Sequence, residues 1–159
     1  MRPRLNLLGL AGLAVAAALT SCGGGGSSAE SLSQFRHEAN QVCQDSQQQF
    51  DKIEQTQPRT ASQTEKQASA LADVSQQALD NLHQIEPPQQ FKDLYGRYLA
   101  AREKDLSFIQ DGRDAAHNND INAYLRATHN AAAQAPLRRQ LALQLGLRLC
   151  SRPSVSFGK

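Results

Sequence analysis

The chain has no tryptophan, a single methionine at its first position and only 5% aromatic residues. With methionine confined to the start, a Met/His haem site inside a bundle is excluded, and the absence of Cys-x-x-Cys-His excludes covalently attached haem. GxSxG, HExxH, a Walker loop, GxGxxG and CxxC are also missing, which removes the short signatures of hydrolases, zincins, nucleotide enzymes and thiol oxidoreductases. Neither an enzymatic activity nor a cofactor is expected on these grounds. Long apolar runs are scarce too. The one extended stretch, Leu5 to Leu19, would span about 22 Å as a helix, short of the roughly 30 Å hydrocarbon core, so a permanent membrane span is the weaker reading.

What is present begins with an address. Arg2 and Arg4 precede the apolar run, and small residues lead up to Cys22, the three-part pattern of a secretory signal. Leu19-Thr20-Ser21-Cys22 resembles the lipobox of bacterial lipoproteins, matching it at all four positions. The resemblance implies that residues 1–21 are a signal peptide cut just before Cys22. It also implies that the Cys22 sulfur carries a diacylglycerol and that the new amino terminus is acylated, with chains such as palmitate. Two or three acyl chains hold a protein on a bilayer far more firmly than one, at about 0.8 kcal/mol per buried CH₂. The expected location is therefore extracytoplasmic, on the cell membrane. In a cell with two membranes, Gly23 in place of an aspartate implies the outer one.

Residues 22–28, the cysteine with its Gly/Ser run, read as a flexible tether. Loss of residues 1–21 removes Arg2 and Arg4 and no acid, which brings the 17 basic residues of the chain level with its 15 acidic ones. A neutral exported protein is a poor candidate for nucleic-acid binding, and none is expected.

Residues 29–150 read as one helical domain, with 151–159 as a C-terminal tail. Ser27-Ser28-Ala29-Glu30 forms a capping box, and Leu32, Phe35, Ala39, Val42, Ser46, Phe50 and Ile53 follow at helical steps up to the break at Pro58. Ser62-Gln63-Thr64-Glu65 is expected to cap a second helix, with the stripe Ala68, Leu71, Ser75, Ala78, Leu82 and Ile85. After Pro87-Pro88, with Pro88 suited to a first helical position, a third helix carries Phe91, Leu94, Tyr95, Tyr98, Leu106 and Ile109. The fourth begins after Asn118-Asn119-Asp120 with Ile121, Leu125, Thr128, Ala132 and Ala135. Short connections between long helices favour antiparallel neighbours, so the expected fold is an all-α, up-down-up-down four-helix bundle.

Acids are concentrated early, in Glu30, Glu38, Asp45, Asp51 and Glu54, whereas none follows Asp120, and Arg126, Arg138, Arg139, Arg148, Arg152 and Lys159 lie beyond it. In this topology the first helix is the expected neighbour of the last, so mutual attraction is the favoured account of the asymmetry. The other account is a basic face meeting anionic headgroups beside the anchor.

With Cys22 assigned to lipid, Cys43 and Cys150 remain as an even pair in an oxidising compartment and are expected to form a disulfide. Cys43 lies roughly 21 Å up the bundle axis from the Pro58 turn, whereas an unbroken helix from Ile121 would carry Cys150 to about 43 Å, beyond bridging distance. Ending that helix at Leu145, with Gly146 as a left-handed cap and Leu147 packing back, returns the cysteine to roughly 23 Å. Pro136 offers a further bend. The ending Leu145-Gly146-Leu147-Arg148-Leu149-Cys150 is also similar to that of small two-cysteine helical envelope proteins of high-GC bacteria, a likeness that implies no activity.

Asp80-x-x-His83 and Asp114-x-x-His117 have the spacing of bundle metal sites, but they fall at opposite ends of the inferred bundle, and no metal site is expected. His37, His83, His117 and His129 read as surface residues. The sequence thus describes a lipid-anchored, non-catalytic binding or scaffolding domain, with the membrane and an envelope protein as expected partners. The alternative is a small-molecule or metal carrier or sensor using a gap beside Tyr95, Tyr98 and Tyr124.

Overall fold

The computed structural model describes residues 28–152; the signal, Cys22, most of the tether, the Ser27 cap and the end of the tail lie outside them. The described residues form an all-α domain of four helices: α1 (Ser28–Glu54), α2 (Ala61–His83), α3 (Lys92–His117) and α4 (Ile121–Leu145), with a 3-10 turn at Gln89–Phe91. None of these helices is long and apolar enough to cross a membrane.

Local chemistry sets the helix ends. α2 is capped by Thr60, two residues ahead of the expected Ser62, and the Thr60 side chain accepts from the Gln63 backbone N–H at 3.2 Å. Gln63 in turn accepts from the Arg59 N–H at 2.7 Å, so the cap forms two residues earlier and uses the glutamine that sits three residues after Thr60. Pro88 opens the 3-10 turn rather than α3, which starts at Lys92. Asp120 caps α4 as its position suggests, accepting from the Ala123 N–H at 2.9 Å.

Consecutive helices pack against one another. Phe35 near the start of α1 shares a buried cluster with Leu82 near the end of α2, while Phe50 toward the end of α1 meets Leu71 and Ala72. Tyr95 on the first turn of α3 donates to the Leu82 carbonyl at 2.7 Å and meets the Phe35 ring edge-on at 5.1 Å. At the other end of that pair, His117 of α3 reaches Glu65 of α2 at 2.9 Å.

The stripes expected on α1, α2 and α3 supply most of the core, and that of α4 does not. Ile121 and Leu125 are 73% and 58% exposed, whereas α4 buries Ala127, Arg138, Leu141, Ala142 and Leu145. The expected stripe faces outward because α4 packs along α3 through a row of alanine and leucine with one arginine in it. Pro136 falls on the outward side, where the Ala132 carbonyl it leaves without a helical donor can meet water. The favoured pairing of the acidic and basic helices is likewise not how the bundle is built. α4 meets α1 at its last turn and the segment after it, while Glu38 and Asp51 accept from Gln34 and Gln47 of their own helix.

α4 ends at Leu145 and Gly146 adopts φ +78°, a left-handed conformation that glycine takes without a Cβ clash. The Leu147 N–H bonds the Ala142 carbonyl at 2.8 Å and the Gly146 N–H the Leu143 carbonyl at 3.0 Å, the two reversed bonds of a Schellman cap. Leu147 then turns fully into the core and Cys150 joins Cys43.

Candidate functional site: the α1 clasp and the buried charges under α4

The described residue pairs carrying the most specific chemistry lie where the segment after α4 folds onto α1. Arg36, Asn40 and Cys43 recur at steps of four and three, hence on one face of α1. Arg36 Nε donates to the Leu145 carbonyl at 2.9 Å, satisfying one acceptor that the helix end exposes. Asn40 accepts from the Leu149 N–H at 2.8 Å and donates to the Arg36 carbonyl at 2.8 Å, which fixes its amide orientation. Cys43 completes the row through the disulfide, with a Cα–Cα separation of 5.0 Å to Cys150. Three side chains of one helix thus hold the reversed chain by an ion-dipole contact, a hydrogen bond and a covalent bond.

Beside this clasp lies a buried group of charges that the sequence reading did not single out. Asp105 and Arg102 of α3 and Arg138 of α4 are all buried, with Arg138 only 2% exposed. Arg138 Nε stands 2.5 Å from Asp105 Oδ2, close enough for an ion pair though not aligned as a hydrogen bond, and Asp105 Oδ1 has no hydrogen-bond partner among the described residues. Arg138 Nη1 donates to the carbonyls of Cys150 at 3.3 Å and Arg152 at 3.2 Å, so the same side chain ties α3 to the returning segment.

Burial is the largest influence on both partners. It raises Asp105 above its ordinary 3.8 against the opposing pull of Arg138 and Arg102, and it lowers Arg138, with Arg102 adding to the effect. Both directions favour the neutral forms, so desolvation outweighs pairing here. Tyr98, whose hydroxyl is 3.8 Å from Cys43 Sγ, is also raised chiefly by burial. With its guanidinium committed to Asp105 and two carbonyls, Arg138 acts as an internal brace and offers no free group to a ligand.

The other sequence candidates are placed apart from this centre. Tyr95 and Tyr98 are 3% and 0% exposed and fill the core, while Tyr124 is half-buried against Gly112. All four histidines are exposed. His83 pairs with Glu103 at 3.2 Å and His117 with Glu65 at 2.9 Å, at opposite ends of the α2–α3 contact, and each such exposed pair is worth at most about 1 kcal/mol. Among the described residues no group of three or more His, Cys, Asp or Glu is arranged to hold a metal. His83→Ala and His117→Ala, alone or together, are therefore expected to leave the metal content of the purified protein unchanged by elemental analysis; loss of stoichiometric metal in either variant would overturn this.

Along α4 and the segment after it runs an open groove of about 660 Å³, lined by Ala132, Ala135, Pro136 and Leu143 together with Arg138, Arg139 and Ser151. A second open hollow, of about 410 Å³, lies at the α3–α4 junction beside Asp111, Asp114 and Asp120. Comparison with family models, curated proteins and solved structures gives no match for the chain.

Proposed function

We propose that this chain is a lipid-anchored, non-catalytic binding or scaffolding protein of the cell envelope. The observation that carries the reading is Leu19-Thr20-Ser21-Cys22 at the end of a secretory signal, followed at once by a Gly/Ser tether that leads to α1. The Cys43–Cys150 disulfide supports it, since such bonds persist in oxidising compartments outside the cytoplasm. A charge centre whose guanidinium is committed to Asp105 and two backbone carbonyls favours binding over catalysis. The carrier reading gains nothing from Tyr95 and Tyr98, which are core.

Mass spectrometry of the mature amino terminus tests the proposal. A diacylglyceryl-modified, acylated Cys22 is expected, and Cys22→Ser should release the protein from the membrane fraction without altering the thermal melt of the domain. An unmodified Cys22, or cleavage at another residue, returns the protein to the soluble exported class.

A further inference from the structure

Ile121, Leu125, Ala132, Pro136 and Leu143 recur along α4 at steps of four and seven, and all are exposed. That spacing places them in one row on the side of α4 turned away from α3, an apolar stripe interrupted by Thr128 and His129 and with no other described helix packed over it. Its flanks are basic. Arg139 lies within the row and is exposed, Arg148 and Arg152 are exposed just past the helix, and no acid occurs in the chain after Asp120. Acids come close at the first turn, at Asp111 and Asp114 of α3 and the Asp120 cap, while Asp105 of α3 is buried against Arg138.

We infer that this face of α4, from Leu125 to Leu143 with Arg139, Arg148 and Arg152, docks flat on an anionic lipid surface. The inference rests on the anchored reading above and specifies how the anchored domain is oriented. An apolar stripe bordered by arginines is the pattern of a helix lying in a bilayer interface, where side chains enter the acyl boundary and guanidinium groups meet phosphates. A second copy laid parallel is a poorer occupant, because arginines would then face their own copies.

Chain length agrees with the lipid surface. Arg36 of α1 bonds the Leu145 carbonyl, so the start of α1 and the end of α4 share one end of the domain. The six Cα–Cα steps from Cys22 to Ser28 reach at most about 22 Å, which keeps that end beside the bilayer.

The test uses the processed, detergent-extracted protein reconstituted in vesicles of phosphatidylcholine alone or mixed with phosphatidylglycerol. A single added thiol, Leu143→Cys on the face or Gln77→Cys on exposed α2, is labelled with pyrene, the native cysteines being blocked by lipid and disulfide. In the anionic vesicles, quenching by nitroxide lipids should be at least about threefold stronger at Leu143→Cys than at Gln77→Cys, and high salt or Arg139→Glu with Arg148→Glu should abolish the difference. Equal quenching in protein that floats with vesicles overturns the docking and leaves the anchor standing. Pyrene excimer at Leu143→Cys overturns it in favour of a second copy. Labelling of the unsubstituted protein at Cys22, with no flotation on either vesicle, brings down both readings.

Discussion

Asp105→Ala is expected to destabilise the domain by about 3–5 kcal/mol, the cost of stranding a buried charge. Arg138 is 2% exposed and would be left facing Arg102 with no carboxylate between them. Arg138→Met should cost less, about 1–3 kcal/mol, because Asp105 keeps Arg102 while the segment after α4 loses its two bonds to the guanidinium. Replacing both, Asp105→Leu with Arg138→Met, should come within about 1 kcal/mol of the parent, since neither desolvation penalty then remains and Arg102 can extend toward water. Urea melts of the four proteins measure the cycle. An Asp105→Ala cost below about 1 kcal/mol would show that the pair is not desolvated as its burial indicates.

The pH dependence carries a definite sign. Asp105 is raised in the folded state, so the native protein binds its proton more tightly than the unfolded chain does. The contribution to stability is fully present below the ordinary 3.8 and is lost as the pH rises through the folded value. Relative to the double variant, the parent should gain stability on acidification through that window. An exposed carboxylate in an ion pair would do the reverse.

The second large effect belongs to the clasp. Cys43→Ala with Cys150→Ala should remove about 2–5 kcal/mol, because the bond spans 107 positions of sequence and restricts the unfolded chain. Gly146→Val should cost about 1–3 kcal/mol in the oxidised protein from backbone strain at φ +78°. A Cβ there would also stand 2.6 Å from Arg36 Nε, so the bond from Arg36 to the Leu145 carbonyl must yield as well. In the cysteine-free background the cost should fall, since the freed segment can shift. It should not vanish, because the cap bonds to Ala142 and Leu143 are local. Denaturant melts of the four combinations give the coupling, and equal costs in both backgrounds would separate the turn from the disulfide.

Sequence and structure agree where the physics is local. Gly146 as a left-handed cap, the start of α4 after Asp120 and the closure of Cys43 on Cys150 follow from backbone sterics, turn chemistry, helical rise and cysteine parity. Disagreement arises where two local solutions compete or where tertiary packing decides. Thr60 and Ser62 both head plausible capping patterns, and Gln63 settles the matter by reaching Arg59.

The misread face of α4 has a clearer cause. Periodicity identifies an apolar stripe without saying what covers it, and Ile121 and Leu125 open the helix with large side chains, whereas the actual contact row begins at Ala127 and reaches Leu141 and Leu145 only near its end. A signal for the buried charges was nonetheless present. The α3 stripe jumps from Tyr98 to Leu106, and Arg102 and Asp105 fill that gap at steps of four and three, in the row that runs on to Ile109. Charged residues in line with core residues call for a partner, and Arg138 stands in the corresponding row of α4, between Ala127 and Leu141.

The position of the disulfide also decides how the domain carries load. A pull between Ser28 at the start of α1 and the end of the described chain at Arg152 travels along α1 to Cys43, crosses the sulfur bridge to Cys150 and leaves. Everything between those cysteines, including α2, α3 and α4, lies on a side loop outside the line of tension. Oxidised, the bundle can be tugged from both ends while most of its helices stay slack. Reduced, the same pull must run through every helix in turn.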